Sequence, residues 1–252
     1  MYLRFIHLHV REGEEAAFAR FYQESVIPAL ASTPGCLYAG LLAPWRGTSH
    51  QSLTIWEAPE DAAAYEESGL YDRLLAGVTP MLASRTEWRV RLARDPLETA
   101  DPSRLQPPAE GYTIEGSDGT NALDQGERPP FVRIVLVRVA LDRLGDFVGI
   151  YRHEVMPALQ AVPGCRGAFL AEGTSRPMEV LSITVWDREE DSVRYEMSGE
   201  FERLTARLAG TFAPVFGWGT GLAGTSSASA PEVSSYELVR GRRLGPTDEG
   251  TR

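Results

Sequence analysis

Two histidines, His7 and His9, lie two residues apart near the N-terminus. The residues around them, 2–10, are rich in apolar, aromatic and β-branched side chains, which is typical of a β-strand. Side chains two apart on a strand point to the same face, so the pair could act together as metal ligands or as a general base near neutral pH. The sequence offers no identifiable third ligand, and we therefore predict no metal site. A structural role at the strand end is the alternative.

Large aromatic residues form a second group of candidates, because several of them occur twice in equivalent surroundings. The indole N–H of Trp56 or Trp186 could donate a hydrogen bond to a substrate. Packing in a core is the alternative, since aromatic side chains dominate core energetics. A buried phenol needs a hydrogen-bond partner, so we expect some recurrent tyrosines to line a polar pocket. These tyrosines are Tyr22, Tyr65, Tyr151 and Tyr195.

Arg73 and its counterpart Arg203 could hold an anionic intermediate through their guanidinium groups. The alternative is a solvated helix charge that pairs with a neighbouring glutamate. The glycine pattern at 219–224 matches the letters of the dinucleotide fingerprint, but a Ser/Ala-rich stretch follows it instead of a helix. We therefore predict no bound cofactor.

The recurrence extends over most of the chain and indicates a tandem duplication. Each copy has an apolar helix with an internal proline, a Pro-Gly-Cys triplet, a Thr-x-Trp strand, and a Tyr-Glu pair followed by Ser-Gly. The matching segments are residues 26–30 and 155–159, 34–36 and 163–165, 52–57 and 182–187, and 65–74 and 195–204.

Periodicity predicts the same element order in both copies. A kinked first helix is expected around Pro28 and Pro157, and the second helix should be interrupted at Ser68-Gly69. The order β-α-β-β-α-β is the ferredoxin-like arrangement, which belongs to the α+β class. The predicted strands lie near 2–10, 37–43, 51–57 and 86–93, and near 131–139, 166–171, 179–187 and 233–240.

The composition divides the chain into four parts. We predict a first copy at 1–94, a linker at 95–130, a second copy at 131–244 and a tail at 245–252. The linker is rich in Pro, Gly, Asp and Glu and contains one short predicted strand at 112–114. The Gly/Ser/Ala-rich stretch 217–232 is predicted to be a flexible loop.

The first strand is apolar on both faces, with Leu3 and Phe5 on one and Ile6, Leu8 and Val10 on the other. A strand of this kind must be buried on both faces. One face would pack against the helices of its own copy, and the other against the sheet of the second copy. The prediction is two ferredoxin-like domains packed sheet to sheet as an intramolecular dimeric α/β barrel, that is, an internal pseudo-dimer.

The chain has 252 residues and a formal net charge of −10, so nucleic acid and anionic membranes are not expected as partners. No apolar run reaches the roughly 18 residues of a membrane span. The N-terminus lacks the pattern of a signal peptide, and we predict a cytoplasmic protein. Cys36 and Cys165 fit a reducing compartment as free thiols.

Taken together, the Pro-Gly-Cys triplet, the Thr-x-Trp strand, the acidic helix start and the Tyr-x-x-Ser-Gly segment resemble the antibiotic biosynthesis monooxygenase family of the dimeric α/β-barrel class. The resemblance implies a small-molecule pocket between the sheet and the helices of one copy. Its expected lining is Phe5, His7, His9, Tyr22, Thr54, Trp56, Tyr65, Tyr71 and Arg73, with Tyr151, Trp186 and Tyr195 in the second copy.

Haem-degrading members of this family use an Asn on the first strand and a Trp and a His on the second helix. Neither first strand here has an Asn, the Trp position resembles Tyr65 or Tyr195, and the His position resembles Leu75 or Thr205. The resemblance therefore does not extend to haem degradation.

These observations lead to the hypothesis of a cofactor-independent oxygenase that acts on an electron-rich phenolic or polyketide-like molecule. His7 or His9 would remove a proton, and Trp56 or Arg73 would stabilise the resulting anion. A non-catalytic small-molecule-binding or scaffold module is the first alternative, because a fold does not determine an activity. An isomerase or lyase that works without oxygen is the second.

Overall fold

A computed structural model describes residues 1–44, 49–83, 109–117, 120–124, 128–176, 178–215, 227–228 and 231–244. We refer to residues 1–124 as the first half and to residues 128–244 as the second half. The predicted strand near 86–93 and the predicted tail 245–252 lie outside the described residues.

The described residues of the first half form four strands and four short α-helices. Its strands are β1 (Tyr2–His9), β2 (Cys36–Pro44), β3 (Ser49–Trp56) and β4 (Ala109–Ser117). Its helices are α1 (Glu15–Phe21), α2 (Ile27–Ala31), α3 (Pro59–Glu67) and α4 (Leu70–Val78). A π-helical turn, Tyr22–Val26, joins α1 to α2, and short 3₁₀ turns occur at Thr79–Met81 and Thr120–Leu123.

The second half repeats this order. Its strands are β5 (Phe131–Arg138), β6 (Cys165–Gly173), β7 (Glu179–Trp186) and β10 (Glu232–Arg243), and the short strands β8 (Pro214–Val215) and β9 (Ser227–Ala228) pair with each other. Its helices are α5 (Leu144–Ile150), α6 (Met156–Gln160), α7 (Glu189–Met197) and α8 (Glu200–Leu208). A π-helical turn, Tyr151–Val155, again joins the first two helices, and 3₁₀ turns lie at Leu141–Arg143 and Ala209–Thr211.

Eight strands form one closed barrel in the order β1-β3-β2-β10-β5-β7-β6-β4. Every neighbouring pair is antiparallel. Each half supplies four adjacent strands, with the fourth beside the first, as in the ferredoxin-like order. The α+β class is thereby confirmed, together with a barrel-like eight-stranded sheet.

The range 95–130, predicted as a linker, contains a full strand of the barrel. The predicted short strand at 112–114 extends over Ala109–Ser117 and pairs with β1 on one side and β6 on the other. The predicted loop 217–232 likewise includes Ser227–Ala228, which pairs with Pro214–Val215. For β4 the cause is pairing with strands that are distant in sequence, which a local composition rich in Gly and polar residues does not reveal.

The barrel interior is an apolar core built by both halves. Leu3 and Phe5 of β1 point into it, together with Tyr38, Phe169 and Leu238. At one end the 3₁₀ turn Thr120–Leu123 fills the lumen, where Leu123 is buried and its carbonyl accepts a hydrogen bond from the Tyr38 hydroxyl at 3.1 Å. We call this segment the plug.

The helices pack on the outside of the barrel. The prolines predicted to kink the first helix follow the two π-helical turns, at Pro28 and Pro157. A proline lacks an N–H and clashes with the carbonyl four residues earlier, and a wider turn before it relieves both problems. The turns begin at Tyr22 and Tyr151, whose side chains reach the sheet.

A close contact with the next helix requires glycine in the Pro-Gly-Cys triplet. Gly35 has φ of 73°, and a Cβ on it would overlap the carboxylate of Asp61. That carboxylate accepts a hydrogen bond from the Ala58 backbone N–H at 3.1 Å, at the start of α3. Gly164, with φ of 87°, has the same relation to Asp191. Gly69, with φ of 70°, separates α3 from α4 where an interruption was predicted.

Candidate functional site

A small pocket lies between the sheet and the helices of the first half, and we call it the first pocket. Its polar lining comes from Arg4, Ser52 and Thr54 on the strands and from Tyr22, Tyr65 and Tyr71 on the helices. The remaining lining is apolar, and it includes Leu74 and Leu75 of α4. No histidine or carboxylate is among the described residues that line it.

Arg4 is a buried cation at the floor of the first pocket, only 4% exposed. Because alternate side chains on a strand point to opposite faces, Arg4 faces the helices while Leu3 and Phe5 face the barrel interior. Its Nη2 forms an ion pair with Glu66 of α3. Its Nη1 is buried and has no hydrogen-bond partner among the described residues. A guanidinium nitrogen in this position is a donor for an anionic or carbonyl ligand.

Tyr71 lies directly over this cation, with its ring centroid 4.8 Å from the Arg4 guanidinium carbon. Burial raises the pKa of the phenol, and the nearby Arg4 charge acts in the opposite direction. The hydroxyl is buried, and no hydrogen bond of good geometry completes it within the described part of the chain. Apart from each other, the Nη1 of Arg4 and the hydroxyl of Tyr71 have no partner among the described residues, and both lie at the same pocket.

Tyr22 is held by the sheet. Its hydroxyl donates to the Gly40 carbonyl at 3.0 Å and lies 2.9 Å from the Ser52 hydroxyl. Burial raises the pKa of this phenol well above its ordinary value, so it stays protonated. The wider turn that begins at Tyr22 gives this side chain its fixed position at the pocket wall.

Trp56 supports the pocket without lining it. The residue is fully buried, and its indole N–H donates to the Thr54 hydroxyl at 2.9 Å. Tyr65 packs on its ring, with centroids 5.3 Å apart. The indole N–H is thus engaged inside the protein, and Thr54 is the residue of this pair that reaches the pocket.

The second half has a matching second pocket. Its Arg133 is 2% exposed, forms an ion pair with Glu196 at 2.7 Å and keeps a buried Nη2 without a described partner. Tyr151 lies 2.7 Å from the Ser182 hydroxyl, and Trp186 donates to Thr184 at 2.8 Å. One difference is chemical: the ring over Arg133, 4.3 Å away, is Phe201, so the hydroxyl of Tyr71 has no equivalent.

Both pockets are narrow in this state. The cavity volumes are about 50 Å³ in the first and about 40 Å³ in the second. A volume of this size holds a few water molecules at most. A multi-ring substrate therefore requires an outward movement of the helical wall.

The structure brings together only part of the residue set predicted for the site. Tyr22, Thr54, Tyr65 and Tyr71 line the first pocket, and Tyr151 and Tyr195 line the second. Trp56 and Trp186 lie fully buried beside them.

Four predicted residues lie elsewhere. Phe5 and His7 face a separate cavity at the open end of the barrel, and His9 follows on the same face of β1. The expectation that His7 and His9 line the helix-covered pocket is therefore wrong. Side chains alternate between the two faces of β1, and Arg4, Ile6 and Leu8 are the ones that face the helices. Arg73 is exposed on α4, outside the lining of the first pocket.

Arg4 and Arg133 are not among the site residues predicted from the sequence, although their recurrence is visible in it. Each is an arginine flanked by apolar residues within the first strand of its half, and the two occupy matching positions in the two halves. Charged residues are almost never fully buried unless they are paired, so a recurrent arginine in a strand predicted to be buried on both faces indicates a ligand or a partner.

Comparisons by structure identify proteins with the same fold. A candidate monooxygenase from Fusobacterium nucleatum subsp. nucleatum superposes with a TM-score of 0.68 at 9% identity, over 100% of this chain and 98% of that one. A candidate monooxygenase from Lactobacillus acidophilus gives 0.65 at 10% identity, over 97% and 96%. An anthrone oxidase-like protein gives 0.60 at 14% identity, over 97% and 94%.

This chain has the fold of those monooxygenase-type structures. At the level of sequence, no family model matches the chain, and no curated protein is similar to it. Identities of 9–14% support a shared fold, but a shared fold does not determine the activity of this chain.

The described residues contain no group of three or more His, Cys, Asp or Glu side chains arranged to hold a metal ion. Among the helices in the described ranges, none has the length and apolar character needed to cross a membrane.

Proposed function

We propose that the first pocket binds an electron-rich aromatic molecule as its phenolate or enolate anion and allows it to react with molecular oxygen without a cofactor. The observation that carries this proposal is the buried Nη1 of Arg4 beside the buried hydroxyl of Tyr71, two donor groups that no other described residue engages. Two preorganised donors in a water-poor site stabilise a negative oxygen far better than they would in water.

The pocket lining contains no base, so Arg4 itself would favour ionisation of the substrate. A cation close to a phenol or enol lowers the pKa of that group, and the released proton passes to water as the substrate binds. This replaces the hypothesis of His7 or His9 as the base, because His7 faces the barrel mouth. Tyr22 and Tyr65 stay protonated, since burial raises the pKa of both phenols.

The reaction that follows balances without another reactant. The substrate anion gives one electron to oxygen, and the carbon radical and superoxide combine into a peroxide. The peroxide takes up a proton from water, and loss of the remaining C–H proton with cleavage of the O–O bond leaves a carbonyl and water. The sum for an activated methylene is CH₂ + O₂ → C=O + H₂O.

Substrate access would require α4 to move away from the sheet. Leu74 and Leu75 form the part of the wall that α4 contributes. The Gly69 break at the start of α4 is a natural hinge, because glycine tolerates a change in backbone conformation at low cost.

The proposal includes an architecture: a covalently linked, two-copy version of a dimeric α/β barrel, related to the antibiotic biosynthesis monooxygenases. It is supported by the repeated element order, by the four adjacent barrel strands that each half contributes, and by the fold shared with monooxygenase-type structures. The pockets would then have diverged, with the first retaining the hydroxyl over its arginine and the second carrying Phe201.

The decisive experiment is oxygen uptake by the purified protein with a panel of anthrones, quinols and flavonols. We expect uptake with at least one member and a quinone or ketone product. Arg4→Met should abolish it, whereas the matched change Arg133→Met in the second pocket should leave most of it. Absence of uptake throughout the panel, or full activity in Arg4→Met, would refute the oxygenase.

A non-catalytic binding or scaffold module is the second candidate, and the cavity volumes favour it. Both pockets are largely filled by side chains, at about 50 Å³ and about 40 Å³. In this case a ligand that stabilises the protein against heat would remain chemically unchanged in the presence of oxygen. Turnover under strict anaerobiosis would instead identify an isomerase or lyase.

A further inference from the structure

A larger cavity lies at the open end of the barrel, opposite the plug, and we call it the mouth. Its volume is about 280 Å³. The strands β1, β3 and β4 of the first half and β5, β7 and β10 of the second half all contribute to its wall. It is separate from the two helix-covered pockets, because its β1 residues are Phe5 and His7 instead of Arg4, Ile6 and Leu8.

Gln51 supplies the mouth with a buried acceptor for which the described residues provide no donor. The side chain is 7% exposed. Its Nε2 donates to the Tyr236 hydroxyl at 2.7 Å and lies 3.3 Å from Nδ1 of His7. Its Oε1 is buried without a hydrogen-bond partner in the described part of the chain. A buried acceptor of this kind is costly unless a donor reaches it, and a ligand in the mouth would supply that donor.

The rim of the mouth carries more negative than positive charge. Three carboxylates, Glu110, Glu179 and Glu232, face two guanidinium groups, Arg138 and Arg176. Arg138 lies 3.1 Å from Glu232 and 3.6 Å from Glu179, and Arg176 lies 3.2 Å from Glu179 and 3.4 Å from Glu110. Three carboxylates against two guanidinium groups leave the described rim with one more acidic than basic side chain, and Nε2 of His7 lies 3.5 Å from Glu110.

Below the rim the mouth is apolar and aromatic. Phe5 and Tyr112 meet edge to face, with ring centroids 6.2 Å apart. Ile134, Leu136 and Leu181 of the second half complete this floor. Aromatic faces attract cations, and an apolar floor favours a ligand with a hydrocarbon body.

We infer that the mouth is a binding site for a small primary amine in its ammonium form, with an aromatic or aliphatic body. One ammonium N–H would donate to Oε1 of Gln51, the surplus carboxylate would balance the charge, and the body would lie on Phe5 and Tyr112. This site is independent of the proposed oxygenase.

The repeat provides a matched variant for the test. Position 181 in the second half corresponds to position 51 in the first, and it holds Leu where the first half has Gln. Gln51→Leu therefore introduces a side chain that the same strand position already accommodates in the other half. Glu110→Gln is a second variant that removes one rim charge with little change in shape.

The measurement is calorimetric titration of the full chain with 2-phenylethylamine, the neutral 2-phenylethanol and the anionic 3-phenylpropionate. We expect the amine to bind at least tenfold more tightly than either analogue. Gln51→Leu and Glu110→Gln should each weaken amine binding about tenfold, whereas Glu200→Gln, a charge change on the outer surface of α8, and Arg4→Met should leave it unchanged.

Three results would overturn the inference. The first is equal or tighter binding of the alcohol or the carboxylate. The second is unchanged amine affinity in a folded Gln51→Leu or Glu110→Gln protein. The third is loss of amine binding in Arg4→Met, which would place the ligand in the first pocket.

Discussion

The Arg4 guanidinium lies under the ring of Tyr71, 4.8 Å from its centroid, and the two residues carry the two buried donors without described partners in the first pocket. In the second half, Arg133 lies 4.3 Å from the ring of Phe201. The geometry of a buried arginine under an aromatic ring is thus shared by both halves, while the hydroxyl is present in only one.

Replacing Tyr71 by Phe should separate activity from stability. Removal of a buried, unpaired hydroxyl should raise the free energy of unfolding by about 1 kcal/mol or leave it unchanged, since the second half already tolerates Phe at this position. Oxygen uptake should fall at least tenfold because one donor to the anion is lost. Urea denaturation and an oxygen electrode measure the two effects, and a destabilised but active variant would contradict the assignment.

Replacing Arg4 by Met tests the cation itself. The long apolar side chain fills similar space, and the Glu66 carboxylate left behind is 46% exposed, so water can solvate it and the loss of stability should be small. We expect a loss of oxygen uptake of about 10²–10³-fold, with a melting temperature close to that of the unaltered protein. Arg133→Met is the matched control, and equal losses in both variants would mean that both pockets are active.

Replacing His7 and His9 together by Ala should leave oxygen uptake within about twofold of its original value. The reason is that the charge of Arg4, and not a histidine base, would promote loss of the substrate proton. His7 faces the mouth, where its Nε2 lies 3.5 Å from Glu110. Steady-state oxygen uptake across pH 6–8 checks this expectation. A strong loss of kcat in the double variant would restore a histidine base.

Alkaline pH should destabilise the fold, partly through Cys36. Burial raises the pKa of this thiol from its ordinary 9.0 to about 12. Between these values the unfolded chain has lost the thiol proton while the folded chain keeps it, so the contribution of this thiol to stability is constant below about pH 9 and is lost as pH rises toward 12. Cys36→Ala should make this decline shallower by up to about 1.4 kcal/mol per pH unit. Unfolding curves measured from pH 7 to pH 11 provide the test.

The plug should contribute strongly to stability. Leu123 is 1% exposed in the barrel core, and truncation to Ala would leave a cavity at a cost of about 2–5 kcal/mol. Leu141→Ala, at a side chain that is 59% exposed, is the control and should change stability by less than about 0.5 kcal/mol. Equal effects in the two variants would show that the plug packs loosely.

Much of the fold follows from the sequence because the repeat aligns its strongest local signals. The interruption at Gly69 and the alternation along β1 each depend on residues close in sequence, and each is found where it is predicted. The sequence predicts only residues 112–114 of strand β4. Its Gly- and Glu-containing sequence has a weak strand preference, and its pairing with β1 and β6 is long-range.

The site was harder to predict for a related reason. The alternation along β1 already placed Phe5 on the face opposite Ile6, yet the family resemblance assigned it, with His7, to the helix-covered pocket. Arg4 was overlooked since a lone charge in an apolar strand is not conspicuous, and only its recurrence as Arg133 distinguishes it. Cavity size depends on side-chain packing in three dimensions, which no sequence pattern conveys.

Strands β4 and β10 each form hydrogen-bonded ladders with one strand from either half. The pairing of β4 with β6 and of β10 with β2 joins the two halves and closes the barrel. Neither half can therefore detach without breaking both pairs and exposing the shared core to water. Heating should consequently produce a single cooperative transition, and calorimetric and van't Hoff enthalpies should agree for the whole molecule.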